Sequence, residues 1–186
     1  MAATSEMVPH RVKNEIEEQI VQSGVDFTML KPSGYMVPRL LQPAFAMGTL
    51  HVFFDPDRGQ AKTNLDDFTD GVVKIASERE RHFAASYELN SDVCHSIHEI
   101  ARMISEVTKK DITIRRIGVE QLLQTMYGSS FDPDKLRYEI DAFQSMATWC
   151  DKYDLVGNTN VMAWLLNRNP TTMAAYIRQQ WEIFTR

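Results

Sequence analysis

Residues 10–36, "HRVKNEIEEQIVQSGVDFTMLKPSGYM", decide the fold, because they show a helix, a tight turn and a buried strand in succession. Val12, Ile16 and Ile20 recur every four residues, which predicts the buried stripe of an amphipathic helix. Gly24 predicts the end of that helix, since glycine accepts the left-handed cap conformation. The run "VDFTMLKP" lacks alternation and is typical of a strand covered on both faces, as in a parallel sheet. The stretch therefore predicts half of a βαβ unit whose first strand is missing.

The rest of the sequence predicts strands and helices in alternation, followed by helices alone in the last third. Ser96 and Glu99 have the spacing of a capping box at the start of an amphipathic helix. Asn169, with a proline after it, predicts the start of the last helix. We therefore expect an α/β fold. Residues 1–118 would form a truncated Rossmann-like part with a small sheet, and residues 119–186 a helical C-terminal subdomain packed on it in a single globular unit.

The charge and composition exclude several classes of protein. The formal net charge is −5 and both signs are interspersed, so the sequence lacks the basic footprint of a nucleic-acid-binding protein. No run approaches the roughly 20 apolar residues that span a bilayer, and the first ten residues lack the apolar centre of a signal peptide. Cys94 and Cys150 belong to no metal-ligand spacing and are expected to be reduced, mostly buried thiols. These features predict a soluble, cytoplasmic protein with no nucleic-acid or membrane partner.

Four stretches carry a resemblance to a known family: residues 10–36, "NLDDFTDGVVKIA" (64–76), "YELNSDVCHSIHEIARMISEVTKKDI" (87–112) and "YDLVGNTNVMAWLLNRNPTTM" (153–173). In order and spacing they resemble the NmrA-like family of atypical short-chain dehydrogenase/reductase proteins, over nearly the whole chain. The resemblance is to the C-terminal part of such proteins. It implies a Rossmann-type fold, NAD(P) bound by an N-terminal part, and a small-molecule cleft above the strand ends. The roles it implies are redox sensing, reduction of quinones or double bonds, and tailoring of natural products.

The glycines depart from the family pattern. The eight glycines are scattered singly, and no G-x-G-x-x-G or G-x-x-G-x-x-G occurs. A Rossmann site needs such a turn so that backbone N–H groups can reach the diphosphate. We therefore expect a chain that uses no cofactor, with NADP as the alternative if another chain completes the nucleotide site. No metal is expected, because His95 and His98 lack a third ligand at a recognisable spacing.

Lys13 and His10 are the first catalytic candidates. The resemblance places Lys13 where NmrA-like proteins carry a lysine analogous to the catalytic lysine of the wider superfamily. His10 lies three residues earlier and shares its helix face. A lysine near a histidine in a partly closed cleft can act as an acid or base near neutral pH. The alternative is that Lys13 forms an i, i+4 ion pair with Glu17 on a solvent-exposed face.

The loop "KPSGYM" supplies the other candidates near the first strand. It follows that strand at the carboxyl end, where open α/β sheets bind their ligands. Ser33 and Tyr35 are catalytic candidates because both can donate hydrogen bonds to a ligand oxygen. Gly34 permits close approach, and Gly34 and Met36 are candidates for substrate binding. The alternative is a plain turn that ends the strand.

Four residues farther along the chain are further candidates for substrate binding: His51, Phe53, Trp149 and Trp164. His51 and Phe53 alternate with Val52 in a predicted strand, so they face the same side. Trp149 and Trp164 belong to helices rich in Met and Trp, which can form an adaptable pocket for an apolar ligand. The alternative is ordinary packing, since a lone His in a strand is usually structural and aromatic stripes are usually core.

These residues favour an enzyme of NmrA-like descent that acts without a redox cofactor. Its reaction would be an isomerisation, cyclisation or dehydration of a small hydrophobic molecule resembling a natural product. Two alternatives remain open: an NAD(P)H-dependent oxidoreductase whose nucleotide site is completed by another chain, and a non-catalytic module for ligand sensing or regulation. The strand "DFTML" lacks a neighbour, and such an apolar edge must be covered. This predicts a homodimer that hides the edge.

Overall fold

The structure is a computed structural model that describes residues 6–186. Its helices are α1 (Val8–Gln22), α2 (Pro38–Met47), α3 (Leu65–Glu78), α4 (Ile97–Thr108), α5 (Val119–Tyr127), α6 (Arg137–Cys150), α7 (Asn160–Leu166) and α8 (Met173–Phe184). Its strands are β1 (Thr28–Pro32), β2 (Gly34–Tyr35), β3 (Thr49–Val52), β4 (Gly59–Gln60), β5 (Lys62–Thr63), β6 (Ala85–Leu89), β7 (His95–Ser96) and β8 (Thr113–Arg116). Strands and helices are interspersed as far as β8, and helices follow.

The described strands form four pairs rather than one continuous sheet. β1 lies parallel to β6, with Thr28 opposite Ala85 and Pro32 opposite Leu89. β2 lies parallel to β5, β3 lies parallel to β8, and β4 lies antiparallel to β7. Parallel strands cannot be joined by a hairpin and need a crossover connection, usually through a helix. The parallel pairs joined through helices confirm the predicted α/β class.

The two edges of β1 differ. One edge is paired with β6, and no other strand within residues 6–186 pairs with the second edge. α1 runs beside this open edge, and none of its residues is buried: Ile16 is 50 % exposed and Val21 is 57 % exposed. The predicted buried stripe on this helix is therefore wrong. The periodicity marks an apolar face, but residues 6–186 do not provide the layer that would cover it.

A large buried cluster lies between α2, α4 and α8 and includes Phe45, Ile104 and Ile177. The predicted capping box at the start of α4 is confirmed. The Ser96 hydroxyl accepts a hydrogen bond from the N–H of Glu99 at 3.2 Å, and the Glu99 carboxylate accepts one from the N–H of Ser96 at 2.8 Å. Two backbone donors at the helix start are thereby satisfied, and α4 is held as part of the scaffold.

The last helix begins later than predicted. Thr172, not Asn169, is the N-cap of α8, and its hydroxyl oxygen accepts a backbone N–H of the first turn at 3.2 Å. Asp67 of α3 holds the residues before it, accepting from the Arg168 guanidinium at 2.8 Å and from the N–H of Thr171 at 2.6 Å. Because these contacts fix the chain outside the helix, the cap falls on Thr172.

The C-terminal helices join the strand part through backbone pairing near β4. The N–H of Ala61 donates to the carbonyl of Leu155 at 2.7 Å, and the N–H of Leu155 donates to the carbonyl of Gly59 at 3.0 Å. α1 also contacts α6, where the N–H of Val8 donates to the hydroxyl of Ser145 at 3.1 Å. The division of the chain between residues 118 and 119 stays a prediction.

Three further observations concern residues 6–186 as a whole. No helix in this range is long and apolar enough to cross a membrane. No group of three or more His, Cys, Asp or Glu side chains in the same range is placed to hold a metal ion. Cys94 is partly buried and Cys150 is buried, and both are free thiols.

Candidate active site

A cavity of about 420 Å³ lies between α1 and β1, along the open edge of the strand. It reaches Pro32 and Tyr35, at the carboxyl end of β1, where open α/β sheets bind their ligands. Apolar groups dominate its wall and a few polar groups converge on it, as in many small-molecule sites. The lining residues are His10, Lys13, Asn14, Ile16, Glu17, Ile20, Thr28, Met29, Leu30, Lys31, Pro32, Tyr35 and Phe68.

The cavity brings together three of the predicted catalytic residues: His10, Lys13 and Tyr35. His10 and Lys13 lie three residues apart on one face of α1. Burial, and then the charge of Lys13, lower the pKa of His10 below its ordinary value. The imidazole is therefore neutral at pH 7 and able to accept a proton. Tyr35 is 40 % exposed and sets its ring edge-to-face against Phe68, with ring centroids 6.1 Å apart.

Glu17 connects α1 to β1. Its carboxylate lies 2.6 Å from the Nζ atom of Lys31, and both side chains are partly buried. The ion pair that the sequence suggested between Glu17 and Lys13 is replaced by this one between helix and strand. The contact holds α1 against β1 and so fixes His10 and Lys13 beside the cavity.

Ser33 supports the loop after β1. Its N–H donates to the Oγ1 atom of Thr63 at 3.1 Å, and the two hydroxyl oxygens lie 2.9 Å apart. Thr63 is fully buried and donates its O–H to the carbonyl of Leu89 at 2.6 Å. A threonine hydroxyl has one proton, so the Ser33 hydroxyl must donate to Thr63. The Ser33 proton is thereby committed to the loop, and a catalytic role for Ser33 stays a prediction.

Lys62 is a residue that the sequence analysis missed. It lies opposite Gly34 in the pairing of β2 with β5, and a Cβ added to Gly34 would lie 3.1 Å from the Lys62 Nζ atom. That Nζ atom donates to the Oε1 atom of Gln60 at 2.9 Å. Burial lowers the pKa of Lys62 to about 8. The only sequence signal is a single lysine within the otherwise uncharged run "GQAKTNL", and a two-residue strand is too short to show alternation.

The other candidates for substrate binding do not line the α1–β1 cavity. Met36 is 2 % exposed and packs with α2 and α4, while Phe53 and Trp149 pack in clusters that involve α6. Trp164, on α7, is 56 % exposed and lies against a ring of β6. His51 lies on β3, opposite an arginine of β8. Substrate binding by these residues stays a prediction.

A second cavity, of about 360 Å³, lies between Glu6 and α6, and Trp149 forms part of its wall. Its other lining residues are polar: Asp141, Gln144, Ser145 and Thr148. It contains no residue of β1 and none of the four catalytic candidates. This cavity therefore serves as an internal comparison for the first one.

Comparison with known proteins identifies solved structures with a similar fold. No family model matches the sequence, and no curated protein matches it. An NADPH-dependent quinone oxidoreductase from Escherichia coli is 21 % identical, with a TM-score of 0.74 over 95 % of this chain and 62 % of that chain. A triphenylmethane reductase from Citrobacter sp., in complex with NADP(H), is 16 % identical, with a TM-score of 0.70 over 92 % of this chain and 59 % of that chain. A UDP-glucuronic acid 4-epimerase from Bacillus cereus, in complex with UDP-glucuronic acid and NAD, is 12 % identical, with a TM-score of 0.62 over 95 % of this chain and 51 % of that chain.

These likenesses confirm the predicted Rossmann-like fold. The shared part runs through nearly all of this chain, and the chain spans 62 % or less of the length of these structures. At such identities the likeness concerns the fold alone, because function is carried by the site.

The prediction of a protein without a cofactor is contradicted by the same comparison. The quinone oxidoreductase has also been solved with NADPH, so all three proteins of this fold hold a nicotinamide dinucleotide. The prediction took a glycine-rich turn as the only sign of dinucleotide binding. The carboxyl ends of the later strands also bind ligands in this fold, and they need no glycine-rich turn.

The α1–β1 cavity combines apolar and polar groups. Apolar groups of β1 and the ring of Phe68 lie beside polar groups from His10, Lys13 and Tyr35. The sequence contains no glycine-rich turn for the diphosphate.

Proposed function

We propose that the protein is an NmrA-like, NAD(P)H-dependent reductase of small hydrophobic molecules, and that this chain forms the nicotinamide- and substrate-facing side of its active site. The observation that carries the proposal is the cavity at the carboxyl end of β1, where His10, Lys13 and Tyr35 meet an apolar wall. The reaction class is supported by the reductases that share the fold.

Each residue of the cavity has a role in this proposal. A reduced nicotinamide supplies a hydride when it is bound. Tyr35 and Phe68 offer aromatic surface to a planar ring, and the Lys13 ammonium donates hydrogen bonds to a ligand oxygen. His10, being neutral at pH 7, takes up a proton from the site or passes one on.

The diphosphate of the dinucleotide needs polypeptide of another sequence. A second copy of this chain would cover the open edge of β1, but it would bring no glycine-rich turn, because the sequence has none. Such a segment packs against the exposed apolar face of α1 and pairs with the first residues of β1, which leaves the carboxyl end of the strand to the ligand. The homodimer stays a prediction and is the competing occupant of the same edge.

The cofactor-independent isomerase or cyclase and the non-catalytic module are other readings of the same residues. No specific contact in the cavity favours either of them. An apolar cavity beside a neutral histidine suits the reduction of a hydrophobic molecule as well as it suits these two alternatives. The reductases that share the fold favour reduction.

The test compares the two halves of the dinucleotide on the purified chain. Reduced nicotinamide mononucleotide is expected to bind with a rise in nicotinamide fluorescence, and 2′,5′-ADP is not expected to displace it. Tyr35→Ala should weaken this binding by about three- to tenfold, the range of an aromatic contact. Tyr138→Ala, at an exposed tyrosine of α6, is the matched control and should leave binding unchanged. Absence of a fluorescence change at millimolar protein, or displacement by 2′,5′-ADP, would contradict the proposal.

Light scattering decides between the occupants of the β1 edge. A homodimer has twice the 21.4 kDa mass of the chain, and Ile16→Asp on the exposed face of α1 should then return the monomer mass. A monomer at micromolar concentration in the unaltered chain contradicts the homodimer and leaves the edge for a different segment.

A further inference from the structure

Lys62 carries a charge that no acidic side chain balances. No ion pair of Lys62 occurs among residues 6–186, and its ammonium makes one hydrogen bond, to the Oε1 atom of Gln60 at 2.9 Å. An ammonium has three N–H donors, so two remain for another acceptor. Lys62 is partly buried, where an unpaired charge is costly, and these donors are open to a ligand oxygen.

The thiols near Lys62 do not supply the counter-charge. Gln60 donates its amide N–H to the Sγ atom of Cys150 at 3.4 Å, which fixes the amide oxygen toward Lys62. Burial raises the pKa of the Cys150 thiol to about 11, and burial likewise raises the pKa of the Cys94 thiol. Both sulfurs are therefore uncharged at neutral pH.

Lys62 lies beside the loop that follows β1, although neither Lys62 nor Gly34 lines the α1–β1 cavity itself. Gly34 is exposed, and the Lys62 Nζ atom lies close to where a Gly34 side chain would begin. Gly34 follows the carboxyl end of β1 and precedes Tyr35, which lines the cavity. Glycine at this position leaves the space beside the ammonium open.

The residues after β6 hold the backbone of Lys62 in place. The Oδ1 atom of Asn90 has no hydrogen-bond partner, although Asn90 is only 3 % exposed. Asn90 directly follows β6, whose carboxyl end lies beside that of β1. The next two residues, Ser91 and Asp92, donate their N–H groups to the backbone carbonyl of Lys62 at 2.9 and 3.1 Å. The Asn90 Oδ1 atom itself is enclosed beside Gly157, so the donors open to a ligand at this edge are those of Lys62.

We propose that Lys62 is a further catalytic residue, which binds the oxygen of the substrate and donates the proton that completes its reduction. This inference rests on the proposed function. A bound reduced nicotinamide would supply a hydride to a carbonyl carbon of the substrate, and the C=O π pair would become a lone pair on oxygen. An N–H bond of Lys62 then breaks as the O–H bond forms, leaving a neutral amine that takes a proton from water. The substrate would end as an alcohol, with its two electrons supplied by the bound dinucleotide.

The acidity of Lys62 suits this step. With a pKa of about 8, the side chain is mostly protonated at pH 7 and yields its proton more readily than an ordinary lysine. A pKa close to the working pH is the optimum for a general acid.

The test uses 4-nitrophenol, whose ionised form absorbs visible light and imitates the oxygen anion of a reduced quinone. The purified chain is expected to bind 4-nitrophenolate and to increase the ionised fraction. Lys62→Met should weaken this binding by about tenfold or more, the value of a hydrogen bond to a charged group. Lys152→Met, at an exposed lysine after α6, is the matched control. Equal binding by Lys62→Met and the unaltered chain would overturn the proposal.

A measurement on the unaltered chain covers the case in which Lys62→Met does not fold. In protein labelled at lysine side chains, the Lys62 NMR resonance should shift when 4-nitrophenolate is added, and the Lys152 resonance should not. No shift at Lys62 would overturn the assignment. Binding of reduced nicotinamide mononucleotide is measured separately, so a failure there counts against the reductase, while a failure with 4-nitrophenolate counts against Lys62.

Discussion

α1 and α4 carry the same kind of apolar periodicity but have different surroundings. α4 has the Ser96 capping box, buries Ile100, Ala101 and Ile104, and packs against α8 and β8. α1 buries none of its residues, and its N-cap, Met7, makes no side-chain cap hydrogen bond. Periodicity therefore identifies the apolar face of a helix, whereas burial depends on whether another layer lies against that face.

This difference in burial distinguishes the scaffold of the protein from its candidate site. α4 and α8 enclose a filled core, whereas α1 and β1 enclose the cavity that holds His10, Lys13 and Tyr35. Binding sites commonly combine a rigid scaffold with a less covered region that can accept a ligand or a partner. The structure follows this pattern, with the candidate chemistry on the side that has the open strand edge.

The largest expected effect compares one substitution on the two helices. Ile104→Ala in α4 should lower the free energy of unfolding by about 2–5 kcal/mol, because it leaves a cavity in a filled core. Ile16→Ala in α1 should change it by about 0.5 kcal/mol or less, because that side chain is half exposed. Urea denaturation measures both. Equal losses would break the comparison and show that the α1 face is covered in solution.

The next effect concerns Lys62 and depends on pH. Burial lowers its pKa from 10.5 to about 8, so between these values the unfolded chain binds more protons than the folded chain and stability rises with pH. Below pH 8 both states are protonated and the full cost of the buried charge is present. Lys62→Met should therefore raise the free energy of unfolding at pH 7 by up to about 3 kcal/mol.

The gain from Lys62→Met should shrink when urea denaturation is repeated at pH 9.5. Lys152→Met, at an exposed site, controls for the loss of a surface charge and should show no such dependence. A gain that grows with pH would contradict the lowered pKa of Lys62.

A smaller effect tests the cap that distinguishes α4 from α1. Ser96→Ala removes the acceptor for the Glu99 N–H and should cost about 1 kcal/mol. Ser105→Ala, within the same helix, should cost nothing, because alanine favours a helix interior. Thermal unfolding followed by circular dichroism compares the two variants. Equal melting temperatures would show that the box contributes nothing to stability.

The smallest effect concerns the ion pair between α1 and β1. Glu17→Gln should lower the free energy of unfolding by about 0.5 kcal/mol at low salt and by less at high salt, because Glu17 and Lys31 are partly exposed and screened. Glu15→Gln, at an exposed position of the same helix, is the control. A salt-independent loss would show that the pair acts through packing instead of charge.

Much of the scaffold follows from local patterns in the sequence. Ser96 and Glu99 predict the start of α4 because the capping box is a contact between near neighbours. The α/β class follows from strands and helices that each carry their own signal. The start of α8 does not follow, since Asp67 fixes the preceding residues from about 100 positions earlier in the chain. The predicted burial of Ile16 is wrong for the same reason, because burial depends on residues that are distant in the sequence.

The candidate site is predictable where it lies at the end of a strand. Tyr35 follows from the rule that ligands bind at carboxyl strand ends, Lys13 follows from the family resemblance, and His10 follows from its helical spacing to Lys13. Lys62 does not follow, because its place beside Gly34 results from pairing between two strands of two residues each. Trp164 is a candidate that does not line the cavity. An aromatic residue in a helix does not indicate by its sequence position which neighbour it will contact.

The most direct test of the central claim locates reduced nicotinamide mononucleotide on the chain by NMR. The claim is that the chain presents the nicotinamide side of a reductase site at the carboxyl end of β1. Amide shifts are expected at His10, Lys13 and Tyr35, with contacts from nicotinamide protons to the Tyr35 ring. Shifts confined to the second cavity, around Trp149 and Gln144, or no shifts at all, would contradict the account.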